Sequence, residues 1–462
     1  MVRIPPVAVY PLWQDEVASA RIMIEPTIGA ALGRVEDTES TPPLWYGLAW
    51  IIEQAGFPVE AARLIGLVSS ALLAGLLVVY ARRLLPLWAA GLAGFIVALA
   101  SQLVLRGAEL RAYALYALLA LVFAWLLERA AERASWGRLA ALAAVTAAGL
   151  LTHYFFALVA LAAGAWLWTT PAFRRTRLPV SVSLAAAVLP FLLWLPSLVE
   201  QVENQRFSWI GDFSLLKAVA VYSAFGWNAG PLYVRDLVQI GALDGILRVA
   251  VFLAVVAGCV LTWRLGPRGR LTAILALAPT GLVALLWVAG ENLFTARNVL
   301  ACAPFAAVAI AALVAALPQR WGRLTAALCV LVVAGGLARE IQLAPPPYHE
   351  IADELVEFGW DDDPVAIFGG VHELSYLGSA YAVRGPVGWY LPGHPQLVLS
   401  QGGDCEATLG IGSPEPPSED VHLIGEVEAG LALNQFNCPA VRNDLPRFMR
   451  RHGGFLFEPA DD

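Results

Sequence analysis

Long apolar runs dominate this sequence and constrain its fold more than any other feature. A helix needs roughly 20 apolar residues to cross the ~30 Å hydrocarbon core of a bilayer. About ten such runs occur, near residues 62–81, 88–105, 112–128, 139–152, 154–170, 180–198, 246–263, 271–289, 298–317 and 324–341. The chain is 58% hydrophobic and only 15% charged, whereas a soluble domain carries about 25% charged residues. The pattern predicts an all-α polytopic membrane protein with about ten transmembrane helices.

The fourth and fifth runs share one apolar stretch, broken only at Thr152 and His153, so they could form one long helix or a tight hairpin. Arginine placement favours the hairpin, because positive residues concentrate in cytoplasmic loops. With the hairpin, the loops on one side carry Arg82, Arg83, Arg129, Arg133, Arg138, Arg174, Arg175, Arg177, Arg264, Arg268, Arg270, Arg320 and Arg323. The short loops on the other side carry only Arg106, Arg111 and Arg297. We therefore expect residues 1–61, 199–245 and 345–462 to lie outside the cytoplasm.

This map divides the chain into three parts. Residues 1–61 form an outward loop with interfacial helices, residues 62–343 form the transmembrane domain, and residues 344–462 form an extracytoplasmic soluble domain. In the last part, VAIFGG (365–370) and VHLIGE (421–426) are typical of strands, and HELSYLGSAYAVRG (372–385), which lies between them, is typical of a helix. The tail is therefore predicted to be a small α/β domain.

The cysteines fit the same map. Cys259, Cys302 and Cys329 fall inside apolar runs and are expected to be small core residues. Cys405 and Cys438 lie in the tail, on the predicted non-reducing side. One disulfide between them is predicted.

Polar and ionisable residues gather in the predicted outward segments. They are Asp15, Glu16, Arg106, Glu109, Arg111, Tyr113, His153 and Arg297. Ionisable residues at membrane depth are costly and usually functional or paired. Arginine and histidine at the boundary can bind a phosphate tethered to a lipid tail, and a carboxylate can take a proton from an acceptor hydroxyl. The pattern indicates group transfer from a lipid-anchored phosphate.

Two other classes of partner are disfavoured. The net charge of −7, from 37 acidic and 30 basic residues, argues against nucleic acid, which needs a concentrated basic surface. No GxxxxGK[ST] or GxGxxG motif occurs in a strand-to-helix context suited to a nucleotide. An activated lipid phosphate is then the simplest donor.

Several segments, in chain order, resemble membrane glycosyltransferases of the GT-C superfamily. They are PLWQDEVASAR, STPPLWYGLAW, AARLIGLVSS, RGAELRAYALYALLAL, LTHYFFALV and FTARNVLACAPF. The resemblance is to the dolichyl-phosphate-mannose protein mannosyltransferase-like group, including bacterial RgtA/B/C/D-like enzymes, and covers roughly residues 10–343. It implies an inverting transferase that moves a sugar from a polyprenyl phosphate to a glycan, lipid or protein acceptor, on the outer face of a cell membrane.

The resemblance also implies residue roles. Asp15 would be the catalytic base, and Glu16 would support it or help to hold Mg²⁺, although two adjacent carboxylates are too few to define a metal site. Arg111, His153 and Arg297 would contact the donor phosphate, supported by Glu109 and Tyr113. Asp15 and Arg297 are expected to face a common cavity without touching. An outward N-terminal segment of about 60 residues without an apolar export sequence indicates either that the first span is a reverse anchor or that a helix precedes Met1 in a longer chain. The resemblance implies such a helix, because family members carry a transmembrane helix before the Asp-Glu motif.

Each role has a structural alternative. Asp15 could cap the helix that follows it, and His153 could be a hydrogen-bonded turn residue. Arg297 could be an interfacial residue that snorkels, and Glu109 and Arg111 could form an ion pair. The loop carboxylates Glu25, Glu36, Asp37 and Glu39 are expected to be solvated.

Two other functions are compatible with the sequence. The protein could be a transporter or lipid flippase of the cell envelope, or it could be a non-catalytic scaffold. Transporters place polar residues near the bilayer midplane. Here the ionisable residues gather at one membrane face, which favours catalysis.

Overall fold

A computed structural model describes residues 12, 14–203, 210, 213–225, 242–341, 356, 365–368, 389–390, 396–399, 422–425, 448–451 and 456–459. The chain separates into two compact units, which we describe one by one. The first, called the helical unit, is Met1–Ala8 with Ala20–Leu343, and the second, called the tail unit, is Val9–Ser19 with Ala344–Asp462.

The described helices begin and end close to the apolar runs of the sequence. In chain order they are α1 Gln14–Met23, α2 Ile28–Thr38, α3 Leu44–Gln54, α4 Arg63–Ala81, α5 Leu87–Leu99, α6 Ser101–Ala108, α7 Tyr113–Glu132, α8 Trp136–Leu150, α9 Phe156–Thr169, α10 Arg177–Ala186, α11 Leu189–Leu192, α12 Leu195–Glu203, α13 Leu215–Ser223, α14 Ala242–Trp263, α15 Pro267–Val288, α16 Ala303–Ala315 and α17 Gln319–Ile341. Short 3₁₀ turns occupy Val59–Ala62, Pro171–Phe173 and Leu300–Cys302.

Five helices of the described chain are long and apolar enough to cross a membrane, namely α4, α7, α14, α15 and α17. The number rises to seven if two bent pairs each count as one span, α5 with α6 at 52° and α10–α11 with α12 at 65°. The other three predicted spans correspond to the shorter apolar helices α8, α9 and α16. The chain is therefore a multi-pass membrane protein, while the number of about ten crossings stays a prediction.

The predicted helical hairpin is confirmed, because α8 ends at Leu150 and α9 begins at Phe156. In the turn between them, the backbone N–H groups of Thr152 and His153 both donate to the carbonyl of Gly149, at 3.1 and 3.0 Å. A Cβ at Gly149 would collide with the ring of Phe156. The absence of a side chain at Gly149 therefore allows the Phe156 ring to pack against the turn that carries His153.

The break between α5 and α6 sets the direction of α6. Ala100 has ψ 122, outside the helical region, and this ends α5 without a proline. The redirected α6 then packs against α4 so closely that a Cβ at Gly66 would lie 2.6 Å from the carbonyl oxygen of Gly107. This close approach holds the segment after α6, which carries Glu109 and Arg111.

We expect the Gly66→Ala variant to be destabilised by about 1–3 kcal/mol, since the new methyl group meets backbone rather than a flexible side chain. Gly75, on the same helix, has open space where a Cβ would lie, with no other atom within 4 Å, and provides the matched control Gly75→Ala. Thermal unfolding in detergent should separate the two variants. Equal melting temperatures for Gly66→Ala and the wild type would contradict the close contact.

A polar cluster lies where α4 and α7 end and α15 begins. It is here called the Glu128 cluster and consists of Tyr80, Arg83, Glu128, Glu132 and Arg268. The hydroxyl of Tyr80 donates to Glu128 Oε1 at 3.0 Å, and Arg83 Nη1 lies 2.7 Å from Glu128 Oε2. Arg268 Nη2 donates to Glu132 Oε1 at 2.7 Å. The cluster therefore ties together three helices at one end of the helical unit.

The described part of the tail unit contains a mixed sheet of strands β1 Val365–Phe368, β2 Gln396–Leu399, β3 His422–Gly425, β4 Phe448–Arg451 and β5 Leu456–Pro459. The strand order is β2-β1-β3-β5-β4, with β1 parallel to β2 and β3, and with antiparallel β3–β5 and β5–β4 pairs. Strands β1 and β3 fall within the two segments predicted to be strands, 365–370 and 421–426. The predicted helix between them, Cys405 and Cys438 lie outside the described residues, so the α/β class and the disulfide stay predictions.

Candidate active site

The candidate site lies at the end of the helical unit where α7 begins and α15 ends. Three contacts bring separate segments together there. Leu44 N donates to Leu151 O at 2.9 Å, and this joins the start of α3 to the α8–α9 turn. The hydroxyl of Tyr116 donates to the carbonyl of Asn298 at 3.1 Å, which joins α7 to the segment after α15. A buried Arg111–Glu39 pair joins the α6–α7 link to the segment after α2.

Arg111 is the centre of a buried hydrogen-bond network. Its Nη1 donates to Glu39 Oε1 at 2.9 Å, to Glu39 Oε2 at 2.8 Å and to the hydroxyl of Tyr46 at 2.9 Å. The Tyr46 hydroxyl also lies 3.1 Å from Thr41 Oγ1. Burial raises the pKa of Tyr46 well above its usual value, so the phenol keeps its proton. The prediction that Glu39 is a solvated loop charge is wrong, since its partner lies 72 positions away and both side chains are buried.

Glu109 pairs with Arg106 rather than with Arg111. The Arg106 Nη1 to Glu109 Oε1 distance is 2.6 Å, an i,i+3 contact across the end of α6. The proposed Glu109–Arg111 ion pair is therefore replaced by two separate pairs. Arg106 Nε and Glu109 Oε2 are buried and have no hydrogen-bond partner among the described residues.

Tyr113, the first residue of α7, links two arginines to the histidine. The guanidinium carbons of Arg106 and Arg297 lie 5.7 and 5.8 Å from the centre of its ring, within cation–π range. The His153 ring lies 6.0 Å from the same ring. Tyr113 is 4% exposed and His153 is 3% exposed, so both rings are largely desolvated. The structure thus brings Arg106, Tyr113, His153 and Arg297 into one cluster.

His153 is held in one orientation by its neighbours. Its ring stacks on Tyr116 at 4.4 Å with an interplanar angle of 13°, and its Nδ1 accepts the Phe155 N–H at 3.3 Å. Burial, with a smaller contribution from the nearby charge of Arg111, lowers the pKa of His153 from 6.5 to about 3. The imidazole is therefore neutral at physiological pH, with its proton on Nε2. It can donate a hydrogen bond to an anion but carries no positive charge.

This burial has a consequence for stability. Between pH 6.5 and about 3 the unfolded chain binds a proton at His153 that the folded chain does not, so this contribution to stability is full above pH 6.5 and is lost on acidification. The loss is at most about 1.4 kcal/mol per pH unit. We expect His153→Gln to remove this slope. The pH dependence of the unfolding free energy of the two proteins provides the measurement, and parallel curves would show that His153 is solvated.

Gln201, at the end of α12, forms hydrogen bonds with α2 and with the turn between α8 and α9. Its Nε2 donates to the carbonyl of Val35 at 3.2 Å, and its Oε1 accepts from the hydroxyl of Tyr154 at 2.7 Å. The residue is fully buried. Sequence reasoning missed Gln201 and Tyr46, because neither carries a charge. Glu39 could have been identified as a candidate site residue from one signal in the sequence. It directly precedes the STPP segment that carries part of the family resemblance.

Asp15 and Glu16 belong to the tail unit and lie in the first turn of α1, where the helix dipole favours carboxylates. Glu16 is buried and Asp15 is half-buried. The Ser19 hydroxyl donates to the backbone carbonyl of Asp15 at 3.1 Å. Within the described chain no three His, Cys, Asp or Glu side chains are grouped so that they could hold a metal ion. A cavity shared by Asp15 and Arg297, and Mg²⁺ binding by the carboxylates, stay predictions.

Comparison with known proteins confirms the resemblance seen in the sequence. Residues 40–199 match the family model described as dolichyl-phosphate-mannose-protein mannosyltransferase, about a third of the chain. No curated protein matches the chain in sequence.

Three crystal structures share the fold. ArnT from Cupriavidus metallidurans matches in the apo state, with TM-score 0.55, 13% identity and coverage of 87% of this chain and 84% of that one. The same enzyme bound to undecaprenyl phosphate matches with TM-score 0.54, 12% identity and the same coverage of 87% and 84%. The oligosaccharyltransferase of Archaeoglobus fulgidus, in complex with Zn and sulfate, matches with TM-score 0.50 and 15% identity, over 84% of this chain and 58% of that chain.

Proposed function

We propose that this chain is a membrane glycosyltransferase of the GT-C superfamily, which transfers a sugar from a polyprenyl-phosphate donor to an acceptor hydroxyl outside the cytoplasm. The observation that carries the proposal is the clustering of Arg106, Arg111, His153 and Arg297 at one end of an apolar helical unit. The ArnT structure with undecaprenyl phosphate supports this class of donor.

The cluster suits a lipid-linked phosphate for a physical reason. Guanidinium groups bind phosphate oxygens through charge-assisted hydrogen bonds, which are strengthened where water is excluded. Arg106 pairs with Glu109, and Arg111 pairs with Glu39. Arg297 lies beside the Tyr113 ring, within cation–π range. A donor whose tail stays in the bilayer presents its phosphate at the depth where such a cluster lies.

The proposed reaction is a single displacement with inversion at the anomeric carbon. Asp15 accepts the proton of the acceptor hydroxyl, and the acceptor oxygen forms a bond to the anomeric carbon. The bond from that carbon to the phosphate oxygen breaks, and the polyprenyl phosphate leaves with the electron pair. Arg297 and Arg111 stabilise the developing negative charge, and neutral His153 donates a hydrogen bond through Nε2. The role of Asp15 is supported by the sequence resemblance of the PLWQDEVASAR segment.

The acceptor class is proposed as a glycan, a lipid or a protein of the cell envelope. A deletion strain tests the whole proposal, with mass spectrometry of envelope glycans and lipid-linked sugars. We expect one polyprenyl-phosphate sugar to accumulate and one envelope sugar to disappear, both restored by the wild-type gene. Restoration by Asp15→Asn as well would favour a transporter or scaffold, since neither needs a base.

A further inference from the structure

We propose that Glu39 is a positioning residue of this site, which holds the guanidinium of Arg111 in place for the donor phosphate. The inference rests on the proposed function, because it concerns how one of the donor-binding cations is oriented. Glu39 itself does not contact the reacting atoms in this proposal. Its effect passes through Arg111.

The contacts of the Arg111 network restrict the arginine side chain strongly. One nitrogen, Nη1, donates to three acceptor atoms, the two carboxylate oxygens of Glu39 and the hydroxyl oxygen of Tyr46. Arg111 is 8% exposed and Glu39 is 4% exposed. A buried guanidinium whose Nη1 has three hydrogen-bond acceptors has little rotational freedom. The orientation of the Arg111 guanidinium is therefore fixed before a ligand binds.

The network also fixes the segments that carry it. Glu39 directly follows α2, Tyr46 lies in the first turn of α3, and Arg111 lies two residues before α7. Thr41, just before the Pro42-Pro43 start of α3, contacts the Tyr46 hydroxyl at 3.1 Å. The same hydrogen bonds therefore tie the first loop to the start of the helix that bears Tyr113 and Tyr116.

Preorganisation of the Arg111 side chain should increase the affinity for the donor. An arginine side chain loses rotamer freedom when it binds a ligand, and this cost is smaller if the protein has already ordered it. The opposite role, a counter-ion that the donor phosphate displaces, would leave Glu39 buried without its cation. Breaking a buried pair in that way costs several kcal/mol, which disfavours displacement.

The test measures the affinity of undecaprenyl phosphate for the full chain in nanodiscs, and donor KM and kcat where turnover is available. We expect Glu39→Gln to weaken binding about tenfold and to raise donor KM, with kcat at saturating donor changed much less. A variant that merely misfolds would lose active fraction, and hence kcat, without a change in KM. Asp37→Asn, an exposed carboxylate on α2, is the matched control and should bind as the wild type does.

A double-mutant cycle with Arg111→Met decides whether the effect passes through Arg111. In that background we expect Glu39→Gln to cause no further loss of affinity. Additive losses would overturn the proposal, and so would tighter binding by Glu39→Gln alone, which would identify a displaced counter-ion. Tyr46→Phe gives a second route if Glu39→Gln does not fold, with a smaller loss that also vanishes beside Arg111→Met. A wild-type protein that does not bind undecaprenyl phosphate would instead contradict the proposed function.

Discussion

Replacement of Asp15 by asparagine is expected to lower kcat by roughly 10²–10⁴-fold and to change donor affinity little. The amide has nearly the size of the carboxylate but cannot accept the proton of the acceptor hydroxyl. Donor binding should persist because it depends on the cations of the helical unit. The measurement is kcat with a polyprenyl-phosphate sugar, together with the dissociation constant of undecaprenyl phosphate.

The carboxylate of Asp37 provides the control for Asp15. Asp37 is exposed on α2, so Asp37→Asn should retain wild-type turnover. A loss of donor affinity that matches the loss of kcat in Asp15→Asn would contradict a role as base. Near-normal turnover would leave Asp15 as an acidic residue that stabilises the first turn of α1.

The Glu128→Ala variant is expected to lose roughly 3–5 kcal/mol of unfolding free energy. The Glu128 side chain is only 2% exposed and lies 2.7 Å from Arg83, so its removal leaves a largely buried cation without that partner. It also removes the acceptor of the Tyr80 hydroxyl. Unfolding in mixed detergent micelles provides the measurement.

Glu132, one turn later on α7, provides a matched comparison. It also pairs with an arginine, Arg268, but its side chain is 42% exposed. Glu132→Ala should therefore cost no more than about 1 kcal/mol, as is usual for exposed ion pairs. Similar losses for Glu128→Ala and Glu132→Ala would show that burial does not govern the strength of these pairs.

The helices of the fold could be predicted because membrane crossing demands long apolar runs. Arginine placement also predicted the hairpin of α8 and α9. A single long helix in its place would not keep the arginine-rich loops on one membrane face. The break at Ala100 could not be predicted in the same way. The run from Leu87 to Arg106 contains no proline or glycine near the break, and only the backbone conformation shows where α5 ends.

The sequence was sufficient to predict several residues of the site, but not the ion pairs that they form. Arg111, His153 and Arg297 stand out in sequence because charge is rare beside apolar runs. The partner of Arg111 could not be deduced, since Glu39 is brought to it by tertiary packing, and a carboxylate in a polar segment is usually solvated. The neutral state of His153 likewise depends on its burial against Tyr116, which a single sequence does not report.

The central claim is that the donor is a sugar linked to a polyprenyl phosphate. Purified wild-type protein in nanodiscs should be incubated with undecaprenyl-phosphate sugars or with nucleotide sugars, together with an envelope extract as the source of acceptor. The release of undecaprenyl phosphate and of nucleotide is then measured by mass spectrometry. We predict release of undecaprenyl phosphate, slowed roughly 10²–10⁴-fold in Asp15→Asn and also reduced in Arg297→Ala, with no nucleotide released. Turnover of a nucleotide sugar, or lipid-linked sugars that stay intact throughout, would contradict the claim.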